Sequence, residues 1–243
     1  MSKTLGYIWG TVLVIAIWWL LALVVQSPAL PTPIATVPVL VEQFGAIMPQ
    51  FWLSLWRILL AMIIGTLLGA PIGLALGRSK RADAVLGPVL YILYPLPKIV
   101  LLPILFVLFG IGGEAKVILI AIAVFFQMMV TMRDAAHAIP TSAVESMRTL
   151  GANRCRVFVH LVVPATMPAL FTALRITTGT AVAILFIAES MAGNTGLGYF
   201  IMHSWSLLEY TRMFAGIIAM ALMGVLLYEA FDIAEKHFSK WKN

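Results

Sequence analysis

Six stretches of this chain are long and apolar enough to cross a membrane: about residues 8–25, 52–76, 86–109, 115–132, 166–188 and 213–231. A bilayer's hydrocarbon core is about 30 Å thick and takes roughly 20 apolar residues per helical crossing. A soluble fold of 243 residues could not hide six such segments when 62% of its residues are hydrophobic and only 11% charged. The mean hydropathy of +1.01 points the same way. Lipid offers the backbone no hydrogen-bond partners, so the expectation is an all-α integral membrane protein with six transmembrane helices. Those helices use most of the chain, which leaves one transmembrane domain over residues 1–243 and no second, soluble one. The first stretch exceeds the roughly 7–15 apolar residues of a signal-peptide core, and no Ala-x-Ala site follows it, so it reads as a retained helix.

The net charge of +6 invites a nucleic-acid reading, but the positions of the charges exclude it. With the N-terminus inside, the cytoplasmic stretches hold Lys3, Arg78, Lys80, Arg81, Arg133, Arg148, Arg154, Arg156, Lys236, Lys240 and Lys242. The outer side holds only Lys116 and Arg212. Short loops rich in Lys and Arg stay on the cytoplasmic face, so both termini are expected in the cytoplasm. Trp9, Trp18, Trp19, Trp52, Trp56, Trp205 and Trp241 gather toward segment ends, as interfacial anchors in a lipid bilayer do. The single cysteine, Cys155, excludes an internal disulfide and falls on the reducing side. His137, His160, His203 and His237 have no ligand spacing with Cys or carboxylates, so no metal site is expected.

Within the second stretch Ala61, Gly65, Gly69, Gly73 and Gly77 recur every fourth residue. Residues four apart share a helix face, so these form a smooth ribbon that lets another backbone approach closely. It serves either tight packing inside one subunit or a moving contact between subunits. Pro71 predicts a kink in it. The stretch from Ser27 to Pro49 reads as an external loop with a short helix along the membrane surface. The third crossing is interrupted by Pro88, Pro95, Pro97 and Pro103, with Lys98 in its middle. A helix broken at membrane depth must be lined by protein or a wet cavity, so this segment is a candidate wall of a translocation path. Lys98 there either binds an anion or pairs with a carbonyl or carboxylate. Arg57, near the outer end of the second helix, reads as a snorkelling residue.

The insert over residues 134–164 is polar and basic, too long for an ordinary connector of about 2–8 residues. Its local signals predict helix, glycine turn, helix. Pro140 suits a helix start, Ser142-x-x-Glu145 has the capping-box pattern, and Gly151 suits the left-handed stop after Leu150. Asn153 can cap a second short helix running toward Val163, limited by Pro164. Arg148, Arg154 and Arg156 then lie on a cytoplasmic surface, a candidate socket for a partner.

Glu145, with Ser146-Met147 after it, then Gly151, Leu161, Val163 and Pro164 resemble the signature loop of ABC-importer permeases. Two alanines usually stand where Ser146 and Met147 do, so Met147 adds bulk. Leu55-x-Arg57, Pro97 with Pro103 before Phe109-Gly110-Ile111-Gly112, and Ala188-Glu189 followed by Gly196-Leu197-Gly198-Tyr199 resemble the nitrate/taurine/aliphatic-sulfonate branch. The resemblance implies a type I ABC-importer permease fold in the cell (inner) membrane and a homodimer with a second copy of the chain. It also implies two cytoplasmic ABC ATPase subunits and an extracytoplasmic substrate-binding protein. ATP and Mg would sit on the partner ATPase, none on this chain, which has no G-x-x-x-x-G-K-[ST] of its own. Glu145, Ser146, Met147, Arg148, Gly151, Ala152, Asn153 and Arg154 would then form the coupling surface. The branch carries small anions such as nitrate, taurine and sulfonates, and also thiamine-precursor-like or other aromatic solutes.

Arg175 and Glu189 share the fifth crossing but stand about 21 Å apart at 1.5 Å per residue, so each must find a partner elsewhere or face water. The resemblance makes Glu189 a candidate outer gate; the alternative is a hydrogen bond to the adjoining loop. Lys98, Arg175, Glu189, Gly196 and Gly198 are therefore the candidate path or gate residues. The run from Gly193 to Gly198 follows a membrane helix rather than a strand, which makes it a compact turn or gate rather than a phosphate loop. An ion-coupled transporter would show paired intramembrane acids or inverted repeats, and a membrane enzyme a polar cluster at one depth. Neither pattern is visible.

Overall fold

The computed structural model describes residues 3–238; Lys240, Trp241 and Lys242 lie outside them. Among the described residues the secondary structure is helical throughout, without a strand. The helices are α1 (Lys3–Val25), α2 (Pro33–Glu42), α3 (Phe44–Arg78), α4 (Lys80–Leu93), α5 (Leu102–Phe109) and α6 (Gly113–His137). They continue with α7 (Thr141–Thr149), α8 (Arg154–Val157), α9 (Val163–Met191), α10 (Leu197–Ser206) and α11 (Tyr210–Phe238). A 3₁₀ turn (Lys98–Leu101) opens α5, and a π turn (Phe158–Val162) joins α8 to α9.

Five helical runs are long and apolar enough to cross a membrane, and α4 with the 98–109 segment makes a sixth if counted as one span. That pair bends by 83°. The break falls where Pro95 and Pro97 deny the helix its N–H donors, as the proline spacing predicts. The external loop does not extend to Pro49 as expected. Helix α3 begins at Phe44, eight residues before the expected crossing, and runs unbroken past Pro49 and through Pro71. Only α2 remains as a short helix in the preceding loop, capped by Thr32, whose hydroxyl accepts the Ala35 N–H.

The chain gathers into two compact units, each built from separate stretches of sequence. In the unit formed by Met1–Ser54 and Glu189–Leu222, the Trp18 indole of α1 donates to the Pro31 carbonyl at 3.0 Å and stacks on Phe214. Gly216 of α11 lies directly against Phe200 and Ile201 of α10. Most of α1 otherwise faces outward.

In the unit formed by Leu55–Ala188 and Met223–Asn243, the glycine ribbon decides the packing. A methyl placed on Gly65 would come within 2.7 Å of the Ala121 carbonyl; on Gly69, Gly73 and Gly77 it would collide with the carbonyls of Phe125, Met129 and Arg133. Four residues spaced by four on α3 thus meet four carbonyls spaced by four on α6. The ribbon works inside the subunit, backbone against backbone. Arg57 is buried, with 6% of its surface exposed, beside Gly113 at the start of α6, so it does not snorkel. Lys116, expected among the outer charges, sits in the first turn of α6 and is 1% exposed. Arg133 is held by both oxygens of Asp83 on α4 and lies over the Tyr91 ring.

Candidate functional site

The insert folds as a hairpin of α7 and α8 with distinct inner and outer faces. Val144, Val157 and Val162 join Ala70 and Leu74 of α3 and Met132 and Ala136 of α6 in one apolar cluster, with Met147, Ala152, Leu161 and Val163 packed against it. The hairpin is therefore fastened to the two helices that the glycine ribbon holds together. Its outer face carries exposed Glu145, Ser146, Arg148, Asn153, Arg154 and Arg156, with Leu150 at the tip at 87% exposure. An almost naked leucine among arginines is a surface shaped for a partner.

The turn has the geometry its sequence predicts. Gly151 adopts φ +83°, its N–H bonds to the Arg148 carbonyl, and the Ala152 N–H reaches the Met147 carbonyl. These two bonds make a Schellman stop. The Asn153 side chain accepts the Arg156 N–H at 2.8 Å and starts α8. Two local expectations fail. The capping box does not form: Pro140 occupies the cap position and α7 begins at Thr141, so Ser142 lies inside the helix. Pro164 does not end the second helix either. The chain widens into the π turn just ahead of it and continues as α9, so that α8, the π turn and α9 make one run of 38 residues from Arg154 to Met191. A π turn is one way to accommodate a missing N–H without breaking the axis.

Glu189, fully buried at the end of α9, closes a second arrangement. The Ser54 hydroxyl lies 2.9 and 2.8 Å from its two carboxylate oxygens and shares its proton with them, while accepting the Leu197 N–H at 2.9 Å. The Gly198 N–H donates to Glu189 at 3.0 Å, and the Gln50 side-chain oxygen accepts the Gly196 N–H. Gly196, at φ +107°, presses against the carboxylate, where a side chain would overlap it. Glu189 thus holds the 193–198 turn through hydrogen bonds, as the second of the two expectations for it has it.

The other candidate path residues stand apart from one another. The Lys98 ammonium donates to the carbonyls of Leu93, Tyr94 and Leu96, closing the frayed end of α4, and lies 4.9 Å from the centre of the Phe126 ring. Arg175 finds its partners on α11: Asp232 at 2.8 Å and Glu235 at 3.3 Å. Asp232 also takes Lys236, and Thr172 donates to Glu235.

Across residues 65–242 the sequence matches the family model described as binding-protein-dependent transport system inner membrane component. The chain belongs to that family. It is a multi-pass inner-membrane ABC permease. It is 29% identical to the taurine transport system permease protein TauC of Escherichia coli, over 96% of this chain and 88% of TauC. It is likewise 29% identical to the Bacillus subtilis protein named as an aliphatic sulfonates transport permease, SsuC, over 99% of this chain and 90% of that one. A chain of the MetNI methionine ABC transporter, solved in inward-facing conformations, superposes with a TM-score of 0.69 over 81% of this chain and 98% of its own. At 19% identity that likeness carries the fold alone, the type I ABC-importer permease fold.

For this permease, the sequence reading had not singled out Leu150, although an apolar residue just before a glycine stop in a basic insert is the signal that finds it. It also missed Ser54 and Gln50, which hold the Glu189 turn, and Asp232 and Glu235, which hold Arg175. Met147 and Ala152, expected on the coupling surface, are half-buried against the apolar cluster that the hairpin shares with α3 and α6.

Proposed function

We propose that this permease is the membrane subunit of an ATP-driven importer, coupled to a separate motor through the 140–164 hairpin. Two copies form an alternating-access path, with both termini in the cytoplasm. A cytoplasmic ABC ATPase grips the hairpin of each copy, hydrolyses ATP with Mg, and drives the path open to one side at a time. An extracytoplasmic binding protein delivers a small anion, and the resemblance to taurine and sulfonate permeases favours a sulfonate. Glu145, Ser146, Arg148, Asn153 and Arg154 frame the contact with Leu150 at its centre, while Gly151, Met147 and Ala152 hold its shape.

One observation carries this reading: the hairpin is stiff on the inside and adhesive on the outside. Its apolar face is fastened to α3 and α6, so force applied at the tip reaches two membrane helices, and its outer face offers an exposed leucine together with exposed Arg148, Arg154 and Arg156. The lone cysteine supplies the test, because Cys155 is exposed on this face. In membrane vesicles a maleimide should label Cys155 from the cytoplasmic side, and a cognate ATPase should protect it. Unchanged labelling with the ATPase bound, or uptake that proceeds without ATP, would overturn the proposal.

A further inference from the structure

A cavity of about 270 Å³ lies beside the bend of the broken segment, lined by Tyr94, Lys98, Phe126, Gln127, Thr180 and Ile184 among others. Ligand cavities commonly run about 300–1,000 Å³, so this one suits a small molecule. A second cavity, of about 530 Å³, lies along the same two long helices and includes Thr131, Ala135, Ala165, Ala169 and Thr172. On α6, Gln127, Thr131 and Ala135 are four residues apart; on α9, Ala165, Ala169, Thr172 and Thr180 recur at helical spacing. One face of each helix therefore carries a stripe of amide, hydroxyl and methyl groups joining the two cavities. The Gln127 amide bridges them, 3.5 Å from the Thr131 hydroxyl.

The lining selects a chemistry. Among the described residues lining the cavity of about 270 Å³, Lys98 is the one ionised group and none is a carboxylate. Its three N–H bonds are spent on the carbonyls of Leu93, Tyr94 and Leu96, so the charge is fixed in place and exerts a field without rotating. The Tyr94 hydroxyl donates to Gln127 Oε1 at 2.7 Å, which orients that amide; one Nε2 hydrogen goes to the Thr131 hydroxyl at 3.5 Å, and the second is left to serve a ligand beside the Thr180 hydroxyl. Phe126 and Ile184 offer an apolar wall. An ionisable side chain at membrane depth faces protein or water rather than lipid.

We propose that this cavity is a binding site within the permease itself for a small organic oxyanion with a short apolar tail. The head takes hydrogen bonds from Gln127 and Thr180, with Lys98 as a fixed positive pole, and the tail lies on Phe126 and Ile184. The proposal deepens the importer reading and rests on it, since the stripe is then the route from this site toward the cytoplasm.

The test is equilibrium binding of radiolabelled 1-butanesulfonate to the detergent-purified permease–ATPase complex without the binding protein. The wild type should bind it, and 1-butanol and butylammonium should not displace it. Displacement by butyrate would extend the site to carboxylates; failure of butyrate to displace would confine it to sulfonates. Thr180→Val and Gln127→Leu should each weaken binding about tenfold, what one hydrogen bond to a charged group is worth. Lys98→Met should abolish it; because Lys98 also closes the end of α4, the two milder variants decide the matter if that one fails to fold. No binding by the wild type, equal displacement by butanol, or unaltered affinity in both Thr180→Val and Gln127→Leu would overturn the site. Failure of the importer reading would show separately, as Cys155 left unprotected by the ATPase.

Discussion

Two glycine turns in this permease use the same backbone freedom to opposite ends. Gly151, at φ +83°, has nothing within 4 Å of where a side chain would stand, and the residue before it, Leu150, projects into open space. Gly196, at φ +107°, is wrapped by the Glu189 carboxylate, Gln50 and Ser54. In the first turn the glycine is needed for its dihedral angle alone; in the second it is needed for its angle and its missing side chain. An open turn with apolar anchors beneath it is built to be gripped. A closed turn whose Gly196, Leu197 and Gly198 N–H groups are all taken by side chains is built to stay put.

The sharpest way to break this comparison is to put the same methyl on both turns. Gly196→Ala meets a backbone region that is essentially glycine-only, costing about 1–3 kcal/mol, and an overlap with Glu189 costing about 1–3 kcal/mol more. Gly151→Ala meets only the left-handed penalty of about 1–2 kcal/mol. Thermal unfolding of the purified permease in detergent should therefore rank Gly196→Ala well below Gly151→Ala. Equal melting temperatures would sink the distinction between the turns.

Ser54→Ala comes next. It removes the hydroxyl that serves both Glu189 and the Leu197 N–H, leaving buried polar atoms short of a partner, and should cost about 1–3 kcal/mol. Asn153→Ala removes the corresponding polar clasp of the hairpin, an exposed helix cap, and should cost about 0.5–2 kcal/mol. The same unfolding assay tests the pair. A larger loss from Asn153→Ala than from Ser54→Ala would mean the hairpin, not the Glu189 turn, is the rigid element.

The sequence was most legible where structure follows from neighbours in the chain. The Gly151 stop and the Asn153 cap depend on a few adjacent residues, and both form as expected. The glycine ribbon was readable as a face because its period is helical, although nothing in that period said that α6 would be its partner. Local signals failed where packing overrode them. Ser142-x-x-Glu145 has the right letters for a capping box, but Pro140 takes the cap position and draws Ser142 into the helix. Pro164 reads as a stop, yet Val157 and Val162 are both buried in one cluster, which holds the chain in line through the π turn. The partners of Arg175 and Glu189 were not legible at all. Asp232 lies 57 residues from Arg175 and Ser54 lies 135 from Glu189, separations at which a single sequence carries no pairing signal.

The smallest effect on stability should come with a large effect on transport. Leu150→Asp alters a side chain that is 87% exposed and takes no part in the hairpin core, so unfolding should move by no more than about 0.5 kcal/mol. If the tip is the centre of a partner interface, replacing its apolar anchor by a charge should cost more than about 2 kcal/mol of binding, a loss of at least about thirtyfold in affinity for the ATPase. Pull-down of the ATPase and ATP-driven uptake should fall together while the melting temperature stays put. The converse variant, Val144→Ala on the inner face, should lower the melting temperature and weaken ATPase binding only in proportion to the hairpin's loss of order. A stable Leu150→Asp permease that still bound its ATPase normally would move the docking surface away from the tip. The exposed arginines at 148, 154 and 156 would then be the next residues to test, because they are the basic groups on the same face.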